Sequence, residues 1–498
     1  DEMTKTTGAI LAIDQGTTSS RAILFSPQAD ILGVSQKEFE QVFPADGWVE
    51  HRPCDLWKTV LKVGREMVAK ADEIGQTITA IGITNQRETT LIWDRKTGEV
   101  VYNAIVWQDR RTANNCKKLQ EQGCLDTIRN TSGLVLDPYF SATKISWILD
   151  HIEGARRRAE QGELCFGTVD SFLIWQMTGG KSHVTDATNA SRTNLYNIHK
   201  GKWDDTLCAL FNVPLSLLPV VLDSASHFGD CLPEIFGKNL PICGVAGDQQ
   251  AATIGQACLT KGCIKSTYGT GCFMLANTGT ACLTSKNNLL STIAYQVNGK
   301  TTYGLEGSIF ISGAVVQWLR DSMGLVSNAT ESEKLAKSLT SNDGVYMVPA
   351  LTGLGAPHWA PSARGSIYGI TRNTGPAHFA RAALESVAYQ TYDLVEAMRT
   401  DGIEPSNLRV DGGMVKNDWL LDFMADILDQ QIDRPVITET TAWGAAVLAL
   451  LGSQQISSLE TTAQLWKLDH SFKPDMKTSE RAKLLAGWKT AVKRTLLD

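Results

Sequence analysis

The chain has 498 residues, of which 43% are hydrophobic and 20% charged, so it can bury large cores and its length predicts two or more domains. Its formal net charge of −6 is small for this size, and the absence of a basic run interleaved with aromatic residues argues against a nucleic-acid partner. The longest apolar stretch, near residues 442–451, is far shorter than the roughly 20 residues that span a bilayer, and the first residues lack a signal-peptide core, so we expect a cytoplasmic protein without membrane insertion.

The segment Ile10–Phe25 predicts a hairpin of two apolar strands around a small polar turn. A glycine in such a turn lets the backbone approach an anion, hydroxyl groups donate hydrogen bonds to it, and a carboxylate can hold hydrated Mg2+. The residues concerned are Asp14, Gly16, Thr17, Thr18, Ser19 and Arg21. The hairpin therefore suits a nucleotide triphosphate, although an ordinary glycine-containing hairpin has the same pattern.

Helical spacing of apolar residues over 55–71, followed by apolar strands over 78–93 and 104–107, indicates an α/β protein. Arg87 and Glu88 follow a buried strand and offer a donor and an acceptor together, which suits a polyol. Exposed Arg-Glu neighbours are also common on solvated surfaces. Trp107, Tyr139 and Phe273 are candidates for apolar walls, or for plain core.

Residues 241–257 predict a buried strand, a Gly-Asp corner and a helix. Asp248 stands at that corner, where an α/β sheet opens into its cleft, and it is our candidate general base; a helix N-cap is the alternative. We place the domain boundary near residue 253, giving domains of residues 1–253 and 254–498. The halves are expected to pack together, since no proline-rich linker separates them.

The segment Cys263–Leu275 repeats the layout of the first hairpin, with Gly269, Thr270 and Gly271 in its turn. Two such loops, near the starts of the two halves, predict paired domains that present phosphate loops to one shared cleft. A second ordinary hairpin is the alternative.

Two further segments are candidates for the rest of a nucleotide site. Gly313 and Gln317 lie one helical turn apart, which allows both to contact an adenosine. By spacing alone, an ordinary buried helix explains the pattern better. Residues 407–428 predict a strand, a turn containing Gly413, and a helix near Asn417 that presents N–H groups to an anion. The alternative for this segment is an ordinary turn at a helix N-terminus, with Asp411 as a solvent-exposed cap. Residues 440–451 predict another helix.

The sequence lacks the Walker pattern G-x-x-x-x-G-K-[ST], so any use of ATP requires another architecture. Taken together, several short segments of the sequence resemble those of the FGGY family of carbohydrate kinases, within the actin, hexokinase and heat-shock ATPase superfamily. The resemblance runs nearly end to end through IDQGTTSSRA, GITNQRETT, NAIVWQ, GLVLDPYF, GTVDSFLIW, TDATNASRT, GDQQAA, TYGTGCF and RVDGGMVKN. Both family signatures are also present, at Tyr139–His151 and Gly365–Glu385.

The resemblance implies two ribonuclease-H-like α/β domains flanking a deep cleft, and phosphorylation of glycerol by ATP with Mg2+ and with Asp248 as general base. For glycerol it implies Arg87, Glu88, Trp107, Tyr139, Asp248, Gln249 and Phe273. For the nucleotide it implies Thr17, Thr18, Ser19, Arg21, Thr270, Gly313, Gln317, Gly413 and Asn417, with Asp14 near the metal. Relatives are commonly dimers or tetramers, so a homo-oligomer is expected.

Two other functions stay open. One is a kinase of the same family for another small polyol or a ketose, and the other is an ATP-binding structural module without turnover. A departure from the family concerns regulation: in some bacterial members an arginine in a glycine-rich loop binds fructose 1,6-bisphosphate, but here residues 230–241 read DCLPEIFGKNLP. Lys238 cannot reproduce the bidentate grip of a guanidinium, so this regulation is not expected.

Overall fold

The computed structural model of the protein describes residues 8–497. The strands of the first half are β1 (Ala9–Gln15), β2 (Ser19–Phe25), β3 (Ile31–Glu38), β4 (Gln41–Val42), β5 (Glu50–His51), β6 (Ile78–Asn85), β7 (Leu91–Asp94), β8 (Ala104–Ile105), β9 (Leu164–Gly167), β10 (Val184–Asp186), β11 (Tyr196–Asn197), β12 (Lys202–Trp203), β13 (Val220–Leu222), β14 (Ala225–Cys231) and β15 (Leu240–Gly247). Its helices are α1 (Pro53–Glu73), α2 (Ala113–Glu121), α3 (Leu125–Ser132), α4 (Ser141–His151), α5 (Ala155–Glu160), α6 (Val169–Met177), α7 (Ala187–Ala190), α8 (Asp205–Leu210), α9 (Pro233–Phe236) and α10 (Asp248–Gly255).

The second half continues the alternation of strands and helices. Its strands are β16 (Cys263–Tyr268), β17 (Cys272–Gly279), β18 (Leu290–Val297), β19 (Lys300–Ile309), β20 (Tyr346–Val348), β21 (Ser366–Tyr368), β22 (Asn407–Asp411), β23 (Ile432–Pro435) and β24 (Leu468–Phe472). Its helices are α11 (Gly313–Asp321), α12 (Ala329–Lys337), α13 (Pro376–Thr400), α14 (Asp418–Leu428), α15 (Thr440–Gly452), α16 (Glu460–Ala463) and α17 (Thr478–Thr495).

Each half builds one large sheet of the same design. The first sheet has the order β14-β15-β6-β1-β2-β3, and the second has the order β18-β19-β17-β16-β22-β23-β24. In the first, β1 pairs antiparallel with β2 and parallel with β6. In the second, β16 pairs antiparallel with β17 and parallel with β22. The two predicted glycine-threonine hairpins are therefore equivalent elements at the centres of the two sheets.

Helix α15 joins the halves, because it belongs to the second half but packs on β1, β6, β14 and β15 of the first sheet. It also lies directly against α10 along glycines that allow backbone contact. A Cβ atom at Gly444 would overlap the carbonyl of Ala251, and one at Gly255 would overlap the carbonyl of Thr440. This close packing fixes α10, whose first residue is Asp248.

The predicted boundary at residue 253 lies within α10. The division into residues 1–253 and 254–498 stays a prediction, and residues 1–7 and 498 of those ranges lie outside the described part of the chain. The strand predicted over 104–107 was too long: β8 ends at Ile105. The chain turns there, as the Trp107 amide donates to the Thr89 hydroxyl at 3.2 Å instead of continuing a ladder. Within residues 8–497, no helix combines the length and apolar character needed to cross a bilayer.

Candidate active site

Asp248 stands where β15 ends and α10 begins, as the sequence predicts. The corner is held by two local hydrogen bonds: the amide of Gly247 donates to Thr188 Oγ1 at 3.0 Å, and the amide of Gln249 donates to Asp248 Oδ1 at 2.8 Å. The Asp248 carboxylate keeps 31% of its side-chain surface exposed. Burial raises its pKa above the ordinary value, against the opposing effects of Arg87 and Lys265. It is thus an accessible carboxylate with increased basicity.

Arg87 and Glu88 are only 3% and 1% exposed, so the solvated-surface alternative is wrong. They belong to a buried network of four charged side chains that sequence reasoning did not assemble. Glu306, on β19 of the second sheet, accepts from Arg87 Nη1 at 2.5 Å and from Arg192 Nη2 at 2.7 Å. Arg192 Nε donates to Glu88 Oε2 at 2.7 Å. The network spans the two halves and brings predicted substrate-binding residues together.

The network also holds the neighbouring site residues. Arg87 Nε lies 3.4 Å from Asp248 Oδ1, and Arg87 Nη2 donates to the hydroxyl of Tyr139 at 3.2 Å. Although burial alone would raise the pKa of Glu306, the guanidinium groups of Arg192 and Arg87 lower it to about 2. For Glu88, burial is the larger effect and raises the pKa despite the same two cations. Glu306 is therefore a fixed anion at neutral pH.

The three predicted aromatic walls meet beside this network. The ring of Trp107 lies 5.7 Å from that of Tyr139 and 6.1 Å from that of Phe273, both edge to face. Phe273 comes from β17 of the second sheet and the other two from the first half. The indole of Trp107 also donates to Thr17 Oγ1 at 2.9 Å, which connects the aromatic wall to the first hairpin.

The first hairpin carries Asp14 opposite Arg21 in the strand register. The guanidinium of Arg21 is held by both carboxylate oxygens of Glu439, at 2.6 and 2.8 Å. Thr18 is exposed at the turn, and Ser19 accepts from Gln36 at 2.8 Å. Burial raises the pKa of Asp14 to about 7, Arg21 opposes the shift, and the charges of Asp248 and Glu439 add to it. In residues 8–497 no group of three or more His, Cys, Asp and Glu side chains is placed to hold a metal ion.

The second hairpin brings together most of the predicted adenosine contacts. The amide of Gly313 donates to the carbonyl of Gly269 at 2.8 Å, and the amide of Ser312 donates to the carbonyl of Thr270 at 2.9 Å. Gly412 packs against the Tyr268 backbone at a φ of 95°, so a Cβ there would collide with it. Gln317 and Gly413, which follow Gly313 and Gly412 closely in the chain, are exposed to solvent. The turn of β16–β17, the start of α11 and the turn after β22 therefore converge.

Two details of that region differ from expectation. Asp411 is not a solvated cap: it is 4% exposed and accepts from Gln256 at 2.8 Å and from Thr440 at 2.6 Å. The turn enters a short 3-10 helix, Gly413–Lys416, before α14 begins. Asn417 caps α14, with its side-chain oxygen accepting from the Leu420 amide at 2.9 Å. Its oxygen is therefore committed to the helix.

Sequence reasoning did not single out Arg192, Glu306 or Lys265, a buried lysine beside Gln249. A signal existed for Arg192, which lies in the string TDATNASRT. Outside the site, Lys238 donates to Asp72 Oδ1 at 2.5 Å on the surface, so its ammonium is already paired.

Comparison with known proteins defines the class to which this fold and site belong. The chain matches the FGGY family of carbohydrate kinases twice, through the family's N-terminal domain over residues 9–255 and its C-terminal domain over residues 264–453. The protein therefore belongs to the FGGY family of carbohydrate kinases. The two-domain α/β fold predicted from the sequence is confirmed.

Among individual proteins, the chain is similar to glycerol kinases over almost its whole length. It is 59% identical to glycerol kinase of Rhodospirillum centenum over 486 residues, which cover 98% of each chain. It is 57% identical to that of Alteromonas mediterranea over 486 residues, covering 97% of this chain and 98% of the relative. The crystal structure of Plasmodium falciparum glycerol kinase with ADP is 37% identical, with a TM-score of 0.93 and coverage of 99% of both chains.

Proposed function

We propose that this protein transfers the γ-phosphoryl group of ATP to glycerol, giving sn-glycerol 3-phosphate and ADP. Full-length similarity to glycerol kinases supports this substrate. The observation that carries the chemistry is the accessible Asp248 carboxylate at the head of α10, 3.4 Å from the guanidinium of Arg87. It lies between two domains that each present a glycine-threonine hairpin, an arrangement suited to bringing an alcohol and a triphosphate together.

Asp248 is the general base in this proposal. A terminal glycerol hydroxyl donates its proton to Asp248 while its oxygen attacks the γ-phosphorus, and the bond to the β-phosphate oxygen breaks. Burial raises the pKa of Asp248, which increases its ability to take that proton. Positioning of the two reactants and neutralisation of charge account for most of the acceleration in such reactions.

The proposed substrate pocket combines polar groups that hydrogen-bond to the hydroxyl groups of glycerol with aromatic rings that pack against its carbon chain. Its polar members are Arg87, Glu88, Tyr139, Asp248 and Gln249, and its apolar members are Trp107 and Phe273. Because the two arginines and two glutamates of the buried network hold one another, the donors and acceptors are preorganised before substrate arrives. Preorganised donors and acceptors next to three aromatic rings suit a short polyol such as a three-carbon alcohol.

The nucleotide is assigned to the two hairpins, the first turn of α11 and the segment after β22. Thr17, Thr18, Ser19 and Arg21 are assigned to its phosphates, and Thr270, Gly313, Gln317, Gly413 and Asn417 to the remainder. Arg21 is paired with Glu439, so contact with a phosphate requires it to share or exchange that partner. For Asn417 the free end of the side chain is the amide nitrogen, since the oxygen caps α14.

Asp14 suits the Mg2+ that accompanies ATP. Burial raises its pKa to about 7, and the opposing cation, Arg21, is already held by both oxygens of Glu439. A hard divalent cation that takes one or two carboxylates and phosphate oxygens matches this environment. When bound, Mg2+ neutralises charge on the transferring phosphoryl group.

The decisive experiment measures ADP release with glycerol, dihydroxyacetone, erythritol and xylulose in parallel. The highest kcat/KM with glycerol is expected. A preference for erythritol or xylulose would replace glycerol with another polyol or a ketose, and no stimulation by any of the four would indicate an ATP-binding module and refute the proposal. The homo-oligomeric state, a dimer or tetramer, is a separate proposal that light scattering of the purified protein tests.

A further inference from the structure

Lys265, on β16, is a fully buried lysine of the second domain that reaches into the first. Its ammonium donates to Gln249 Oε1, to Thr267 Oγ1 at 3.2 Å and to the carbonyl of Phe273 at 3.3 Å. A lysine ammonium has three protons, so these three acceptors satisfy it completely. Two of the three belong to residues proposed above to line the substrate pocket.

Burying the Lys265 ammonium costs free energy, and the need to fill space does not explain why a charged side chain is present. Burial lowers the pKa of Lys265; Asp411, Glu306 and Asp248 face the ammonium and favour its charge, while Arg87 opposes it. Buried ionic contacts are in general no more stabilising than apolar side chains of the same volume. A methionine would fill this space, so the charge points to a role in specifying geometry.

The chemistry of the contact settles the orientation of Gln249. The two ends of a glutamine amide have similar shape, but an ammonium carries donors only, so the oxygen must face Lys265. The end of Gln249 that is left for a ligand is therefore the NH2 group, which donates. Beside it, the Asp248 carboxylate only accepts.

We propose that Lys265 is a positioning residue for the substrate pocket: it fixes the amide of Gln249 so that Gln249 donates to, and Asp248 accepts from, the hydroxyl groups of the alcohol. This positioning role rests on the proposed glycerol kinase function. It adds to that function a residue that determines how the hydroxyl groups of the alcohol are oriented. Lys265 comes from the second domain and Gln249 from the first. The arrangement of a donor at Gln249 beside an acceptor at Asp248 therefore depends on contact between the two domains.

The test compares Lys265→Met with wild type in glycerol-dependent ADP release. Without the ammonium the amide of Gln249 is free to flip, so KM for glycerol should rise about 10-fold or more, while KM for ATP stays within about 2-fold. Thr267→Val is the matched control: it removes one acceptor of Lys265 but keeps the charge and the contact with Gln249, and its KM for glycerol should stay near wild type.

A second pair of variants separates positioning from general destabilisation. Gln249→Glu keeps a partner for Lys265 but offers glycerol an oxygen instead of NH2, so KM for glycerol should rise although the fold is retained. Lys265→Met combined with Gln249→Leu should raise KM no more than the worse single variant, since both act through one amide.

The outcomes distinguish the two claims. Wild type without glycerol-dependent turnover would refute the proposed function and this inference with it. An active wild type with unchanged KM for glycerol in Lys265→Met, or in Gln249→Glu when Lys265→Met does not fold, would overturn the positioning role alone. Additive effects in the double variant would overturn it as well.

Discussion

Arg87 and Glu306 are 219 residues apart in the chain, yet Nη1 of the arginine donates to Oε1 of the glutamate at 2.5 Å. The other glutamate oxygen accepts from Arg192 at 2.7 Å, so one carboxylate of the second sheet joins two arginines of the first domain. All three side chains are almost completely buried. The proposed substrate pocket therefore draws on both halves of the chain, and its geometry depends on both.

Glu306→Gln should weaken both substrate binding and stability. The neutral amide leaves two buried guanidinium groups with less negative charge to balance them, and removing one partner of a buried ion pair typically costs about 3–5 kcal/mol. Arg87 then loses its fixed position, so KM for glycerol should rise. Urea unfolding and steady-state kinetics measure the two effects.

Glu385→Gln is the matched control for that variant. Glu385 is also a buried glutamate of the second domain, paired with Arg381 at 2.7 Å, and it lies on α13 outside the site. Its KM for glycerol should stay unchanged. Equal changes in KM for the two variants would mean that the Arg87–Glu306 contact is structural only.

Asp248→Asn should bind glycerol but lose turnover. The amide preserves the shape of the corner but cannot take a proton, and removal of a general base typically lowers kcat about 10²- to 10⁴-fold. Glycerol binding by calorimetry and kcat by ADP release separate the two effects. Asp393→Asn, on α13, removes a carboxylate that accepts from Trp488 outside the site and should leave kcat unchanged. Near-normal turnover of Asp248→Asn would remove Asp248 from its assigned role.

The activity should fall on the acid side of neutrality. Asp248 must be ionised to accept a proton, and burial raises its pKa, so kcat/KM for glycerol should decline at a higher pH than an exposed aspartate would give. Asp14, with its pKa raised to about 7, adds to the decline, and Mg2+ favours its charged form. Higher Mg2+ should therefore move the acid limb to lower pH. An acid limb no higher in pH than an exposed aspartate gives would contradict the assignment of Asp248, and a limb that does not move with Mg2+ concentration would contradict that of Asp14.

The elements that sequence reasoning predicted correctly depend on local patterns. Helix α1 has regularly spaced apolar residues. The two hairpins and the strand-helix corner at Asp248 combine apolar strands with a glycine or aspartate at the turn. These signals lie within about twenty residues, so a single sequence displays them. The site contacts built on them stay predictions until a ligand is measured.

The residues that were missed depend on distant partners. Lys265 lies on β16, which is buried on both faces, so alternation of polar and apolar residues does not distinguish its environment. Glu306 looks like one polar residue in a mixed strand until β19 is placed opposite Arg87 and Arg192. The packing of α15 on the first sheet is hidden for the same reason, because nothing local in 440–452 indicates which half it covers.

Asp14→Asn should stabilise the protein at high pH while it impairs the reaction. The pKa of Asp14 is raised from 3.8 to about 7 in the folded protein, so the folded state binds this proton more tightly than the unfolded state. Its contribution to stability therefore falls as the pH rises from about 4 to about 7, and the full cost remains above that range. Since the side chain is half-buried and partly screened by solvent, replacing it with asparagine should raise the free energy of unfolding by about 1–3 kcal/mol at pH ~8 and change it little near pH ~4. Urea unfolding at the two pH values measures this. A variant that is no more stable than wild type at the higher pH would mean that Asp14 does not carry an uncompensated charge in the folded protein.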